Sequence, residues 1–352
     1  MTTARAPSAA GGCRLIGTAL LWAAATACAT AGFAATGSRA AEPHSAATAT
    51  FQVLGFQSDS DAPRLIDQNA RAMTIVGVDG INLTAPGHVS APTGADAAEL
   101  DRASADGLPA QLLVGNWSPR VNDFSEQLAH QTLGSAGTTA RAAVAVADDV
   151  QRGGWNGVSV DLESLAARDM EGLSRFVGRL RALLPSNDPV TVCLEAFTTP
   201  GAYRDNGYDL QALTGSATQI VLMTYDDHGP WENRPGPIGP LAWQRASIRA
   251  LESVVPARQI YLGAANYGYA WRPHSNDNLN VTQARALVAR FHARPHWSAS
   301  AGEWTARLHD GSTLWWSDAR SVLLRVRLAR ALHVHGVAVW SLGSGDPLPG
   351  IP

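Results

Sequence analysis

Gly157-Val158-Ser159-Val160-Asp161-Leu162-Glu163 decides the reading of this chain. Apolar and polar residues alternate strictly. Val158, Val160 and Leu162 share one face; Ser159, Asp161 and Glu163 share the other. That period of two belongs to a β-strand and sets two carboxylates in line at its C-terminal end. An ordinary buried strand does not turn two acids inward, because burying an unpaired charge is costly. A parallel barrel carries its catalytic groups at that end of its strands. The segment therefore reads as an acid pair in an active site, with an edge strand bearing two solvated acids as the alternative.

The chain has 352 residues, enough for one large domain or two modest ones. A net charge of −3 gives no basic footprint for nucleic acid. The N-terminus reads as a secretory signal over 1–40. Arg5 and Arg14 precede an apolar run from Leu15 to Phe33, and Ser38-Arg39-Ala40 offers a cut before Ala41. An uncleaved anchor, and lipidation at Cys28, are the weaker readings. A short linker, 41–50, would follow, and a single domain would fill 51–352. Cys13 and Cys28 leave with the signal, so Cys193 remains alone, without a disulfide or a cysteine-based metal site. The expected location is secreted or periplasmic, with no membrane span after cleavage.

Eight short apolar runs predict strands: 51–55, 73–78, 110–115, 157–163, 190–197, 219–223, 260–263 and 336–340. Helical spacing appears between several of them, over 138–152, 169–184 and 318–332. Eight strand–helix units predict an α/β fold of the (β/α)8 TIM-barrel type. A doubly wound sheet is the competitor, but no Gly-rich dinucleotide turn follows the first strand. Residues 272–314 interrupt the pattern and predict a small insertion between strands seven and eight. It would hold a helix over 281–291 and a strand over 304–308.

Three motifs then carry a resemblance. Asn156-Gly157-Val158-Ser159-Val160-Asp161-Leu162-Glu163 resembles the strand-four signature Asp-Gly-x-Asp-x-Asp-x-Glu of glycoside hydrolase family 18, the chitinase-like barrels. Met223-Thr224-Tyr225-Asp226 resembles its strand-six signature Met-x-Tyr-Asp. Trp340 in Gly336-Val337-Ala338-Val339-Trp340 matches its strand-eight tryptophan, and Asp346-Pro347 is similar to the spore-cortex and cell-wall glucosaminidase branch. Two positions depart from the pattern: Asn156 stands for the first Asp and Ser159 for the middle one.

The resemblance implies a secreted glycosidase acting on chitin or peptidoglycan, with a glycan containing N-acetylglucosamine as its partner. No cofactor, no metal and a monomer are expected. Neighbouring inward residues on one strand lie roughly 6–7 Å apart, so Asp161 and Glu163 reach the same side of a sugar. A protein nucleophile needs its two carboxylates on opposite faces, about 5 Å apart, and this family is an exception that uses substrate assistance. Glu163 would be the acid, and Asp161 would hold the substrate's acetamido N–H. Tyr225 would position the acetamido carbonyl, with Asp226 beside it. Trp340 would floor the reacting sugar, with Met223 beside it. Trp117, Trp231 and Trp271 follow strands three, six and seven and stand as further subsites, with ordinary packing as the alternative for each. Tyr267 and Tyr269 sit near the rim. The Ser159 hydroxyl would donate to Asp161 and keep it ionised. The His333/His335 pair and Asp226-Asp227-His228 read as ordinary surface and site residues before metal ligands. The competing function is a non-catalytic glycan-binding protein on the same barrel; a metal-dependent deacetylase is a distant third.

Overall fold

The alternation at 157–163 becomes one stave of a closed barrel. The computed structural model describes residues 50–58 and 60–351. The expected signal, the cut before Ala41, Cys28 and linker residues 41–49 lie outside the described residues.

Among the described residues, eight parallel strands form the ring. They are β1 (Gln52–Gln57), β2 (Ile75–Ala85), β3 (Ala110–Gly115), β4 (Val158–Asp161), β5 (Val190–Glu195), β6 (Gln219–Met223), β7 (Ile260–Ala265) and β8 (Gly336–Trp340). Neighbours follow chain order. β1 closes the ring by pairing on both sides, Gln52 opposite Gly336 on β8 and Leu54 opposite Ile75 on β2. All eight expected strands are present, in the expected order.

Residue parity sorts the core. Val158, Val160 and Leu162 join Val76, Leu112, Val192 and Leu222 in the belt between barrel and helices. Leu54, Phe56, Leu113, Cys193, Val221, Tyr261 and Ala338 fill the barrel itself. Both faces of the barrel strands are covered, so the strands are Val- and Leu-rich. Burial of each such side chain contributes about 1.5–3 kcal/mol. The helices present matching stripes. Met170–Leu183 turns Leu173, Phe176, Val177 and Leu180 inward, and the chain goes extended at Leu184, where Pro185 follows. Ala136–Gly153 starts under the Ser135 hydroxyl, which accepts the Thr138 N–H, and ends at Gly154 with φ +78°. Gly157 has a second requirement: at φ +140° a Cβ would lie 2.5 Å from the Pro189 carbonyl oxygen, so only glycine lets β4 meet the start of β5.

The insertion is larger than 272–314. An antiparallel five-stranded sheet starts at Gly268–Trp271 and closes at Thr313–Trp316, with helix Val281–Arg290 against it. Its own apolar cluster contains Ala270, Leu279, Val281, Leu314 and Trp316. The boundary shifts because Gly268 pairs with both Leu279 and Trp316. A side chain at Gly268 would sit 2.7 Å from the Trp316 Cβ. The sheet follows the C-terminal end of β7, so it rises over the face where the acids emerge.

Candidate active site

β4 delivers its acids as the alternation requires. Ser159 and Asp161 point into the barrel, and Glu163 follows just beyond the strand, half-buried. Asn116, next after β3, holds the Glu163 backbone from both sides. Its Oδ1 accepts the Glu163 N–H at 2.9 Å, and its Nδ2 donates to the Glu163 carbonyl at 2.9 Å and to the Ser125 carbonyl at 3.2 Å. Asn116 is fully buried, so the acid's backbone has one defined place. Glu195, the last residue of β5, accepts the Ser164 N–H at 3.3 Å.

The loop after β6 carries Tyr225 and Asp226, and it is fixed at both ends. The Thr224 hydroxyl donates to the Gly263 carbonyl and Gln244 donates to the Thr224 carbonyl, each at 2.6 Å. At the far end, Glu303 accepts the N–H groups of Ile238 and Gly239 at 2.8 Å and pairs with the buried Arg325 at 2.8 Å. Asp226 is held at φ +66°, a strained conformation for a non-glycine residue. Its Oδ1 accepts the Tyr267 and Tyr269 hydroxyls at 2.5 and 2.7 Å. The aromatic alternation at 267–271 therefore orients an acid of the site.

These carboxylates crowd one partly enclosed space. Burial, then the charges of Asp79 and Glu195, push Asp161 from its ordinary 3.8 up to about 7. Burial, then Asp161, Glu195, Asp226 and Asp123, hold Glu163 well above the usual carboxylate range. Burial raises Glu195, opposed by the Ser164 N–H. Burial raises Asp226 to about 6, against the two tyrosine hydroxyls. The Asp161 Oδ1 is buried and has no hydrogen-bond partner among the described residues. Such an atom marks a place for a donor from a ligand.

Two adjoining cavities, of about 350 and 400 Å³, share Phe124, Glu163, Met223, Tyr225 and Asp226. Asp161, Tyr267, Tyr269 and Trp340 belong to the first, whose outer wall is Asn278, Asn280, Gln283 and Ser344. Phe56 tilts against Trp340, with ring centres 5.6 Å apart. Asp123, Glu195, Phe197, Trp231 and Trp243 belong to the second. A chain of sugars laid through both would present a bond to Glu163 at the junction.

The residues named from β4, β6 and β8 converge on these cavities: Asp161, Glu163, Met223, Tyr225, Asp226 and Trp340, with Trp231 at the rim. Three expected site residues fall elsewhere. Ser159 does not reach Asp161 or either cavity: its hydroxyl donates to Gln111 Oε1 at 2.6 Å, fully buried beneath the site. Asp161 is correspondingly not kept ionised by it. Trp271 lines neither cavity: it is buried against Tyr269, ring centres 6.0 Å apart, and its Nε1 donates to the Glu232 carbonyl at 3.1 Å. Trp117 stands 40 % exposed on a two-stranded hairpin outside both cavities, and its strand partner Phe124 faces inward instead.

Glu195, Asn116 and Phe124 belong to the site without a motif that names them. Glu195 carries a readable signal all the same, since Val190-Thr191-Val192-Cys193-Leu194-Glu195 ends on an acid, much as 157–163 does. His333 is exposed before β8, and His228 bonds Glu232 at 2.7 Å. Among the described residues no helix is long and apolar enough to cross a membrane.

Comparison with known proteins identifies the family. The family model for glycosyl hydrolases family 18 matches residues 91–345. The putative sporulation-specific glycosylase YdhD of Bacillus subtilis is 28 % identical over 269 residues, 72 % of this chain and 64 % of that protein. The cortical fragment-lytic enzyme of Bacillus anthracis is 24 % identical over 64 % of this chain and 55 % of its own length. The chain thus spans less than two thirds of either relative. The crystal structure of a chitinase from Chromobacterium violaceum superposes with a TM-score of 0.76 at 28 % identity, covering 84 % of this chain and 95 % of that one.

Proposed function

The chain belongs to glycosyl hydrolases family 18, and from that premise we propose that it is a secreted glycosidase cutting β-linked N-acetylglucosamine in chitin or peptidoglycan, by substrate-assisted hydrolysis with retention. The observation that carries this reading is the pairing of Asp161 and Glu163 on one side of one cavity, with a buried Asp161 oxygen that lacks a partner among the described residues. Two acids from the same strand do not flank a ring, and the family is an exception whose nucleophile comes from the substrate.

The acetamido oxygen attacks the anomeric carbon of its own sugar, and the bond to the leaving oxygen breaks. Glu163 gives that oxygen its proton; burial and neighbouring charge favour its protonated form. Asp161 accepts the acetamido N–H, and the positive charge growing on the oxazolinium ring favours its ionised form. Tyr225 positions the acetamido carbonyl, and Asp226, oriented by two tyrosines, steadies the same sugar. Trp340 and Met223 support its apolar face. Water then attacks the anomeric carbon, the bond from that carbon to the acetamido oxygen breaks to regenerate the acetamido group, and the water's proton goes to Glu163. The names of the relatives, a cortical fragment-lytic enzyme and a chitinase, support both substrate classes. The signal pattern at 1–40 supports export.

The test is recovery of the protein from the medium or periplasm, followed by digestion of chitin oligomers and purified peptidoglycan. The reading expects an N-terminus near Ala41 and new reducing ends carrying N-acetylglucosamine. Cytoplasmic protein retaining Met1 overturns the export claim; no product from either glycan overturns the activity.

A further inference from the structure

The second cavity has a chemistry that the cutting reaction alone does not require. Asp161 and Trp340 belong to the first cavity, which holds the sugar that loses its bond; this assignment rests on the function proposed above. The leaving sugar then lies across Glu163 in the second cavity. Two further carboxylates face it, Asp123 and Glu195. Asp123 accepts the Phe124 N–H at 2.8 Å, and Glu195 accepts the Ser164 N–H at 3.3 Å. Neither forms an ion pair among the described residues, and no arginine lines the cavity. Phe197, Trp231 and Trp243 supply aromatic faces, and Trp231 is 58 % exposed.

Aromatic faces accept the C–H face of any sugar and attract a cation through the ring quadrupole. The carboxylates favour an ammonium by charge-assisted hydrogen bonding and oppose a carboxylate. We propose that the leaving-side subsite selects a sugar bearing a free amine, so that the preferred bond joins N-acetylglucosamine to de-N-acetylated glucosamine. The same field disfavours a leaving sugar that carries an acid, such as muramic acid with its free lactyl carboxylate.

Three disaccharides test this, each with N-acetylglucosamine as the non-reducing sugar and glucosamine, N-acetylglucosamine or N-acetylmuramic acid as the reducing one. The expected kcat/KM for glucosamine exceeds that for N-acetylglucosamine by roughly 10-fold, and the muramic acid compound is slowest. Added salt narrows the spread. Glu195→Gln and Asp123→Asn are each expected to reduce the ratio; because the ratio is taken within each variant, a general loss of turnover cancels. A wild-type ratio at or below one, or a ratio unchanged in both variants, overturns the inference while leaving the proposed function standing. No turnover of the three while chitin oligomers are cut overturns the inference alone; no turnover of the three, of chitin oligomers or of peptidoglycan overturns both.

Discussion

Replacing Asp161 with asparagine is expected to stabilise the fold at neutral pH while abolishing most turnover. Asp161 is 6 % exposed, and its acidity is displaced from the ordinary 3.8 to about 7, first by burial and then by Asp79 and Glu195. That distance corresponds to about 4 kcal/mol of cost for the ionised form in the folded protein. The cost is shared through a coupled cluster, so the gain from Asp161→Asn is set at about 2–4 kcal/mol above pH 7. Between about pH 4 and 7 the folded protein holds a proton that the unfolded chain has released. Unfolding then releases a proton, and stability falls as pH rises through this window. The variant lacks this group's share of the fall. Urea unfolding at several pH values between 4 and 8 measures the effect: the two proteins should be close at pH 4 and diverge toward pH 8. An advantage for the variant that is constant with pH, or a variant less stable at pH 8, refutes the reasoning. An acid retained at such a cost to the fold is a mark of function.

Glu163→Gln should lower turnover by roughly 10²-fold or more while binding of N-acetylglucosamine oligomers persists, as titration calorimetry would show. Asn116→Ala removes both anchors of the Glu163 backbone, and kcat should fall by about 10-fold or more with a smaller change in KM; an unchanged kcat in a folded variant contradicts the positioning role. Ser159→Ala leaves Gln111 Oε1 without its donor and should cost about 1–3 kcal/mol in denaturant unfolding, with the pH–rate profile unmoved. A displaced profile would mean that Ser159 acts on the acids after all.

The barrel was legible because the strands alternate between two apolar environments, and β4 showed this most clearly. Asp161, Glu163, Tyr225, Asp226 and Trp340 were legible for the same reason: each stands at or just past a strand's C-terminal end. What escaped depends on partners distant in sequence. Ser159 shares a face with Asp161, yet Gln111, 48 residues earlier on β3, captures its hydroxyl. Alternation fixes which face a side chain takes and is silent on its cross-strand partner. Asn116 follows an apolar strand with no pattern of its own, and only the meeting of β3 and β4 makes it an anchor. Trp117 and Trp271 illustrate the limit for aromatics. Trp271 packs behind Tyr269 in the aromatic cluster beside the site and lines neither cavity, and the hairpin beginning at Trp117 turns Phe124 to the cleft in its place.

The central claim is that the substrate supplies the nucleophile and Glu163 supplies the proton. A matched pair of chromogenic β-glycosides, one with the 2-acetamido group and one with a hydroxyl in its place, tests it most directly, with the first-formed anomer followed by proton NMR. The account predicts turnover of the acetamido compound alone, releasing the β-anomer first. Comparable turnover of the plain glucoside, or the α-anomer as first product, would contradict it.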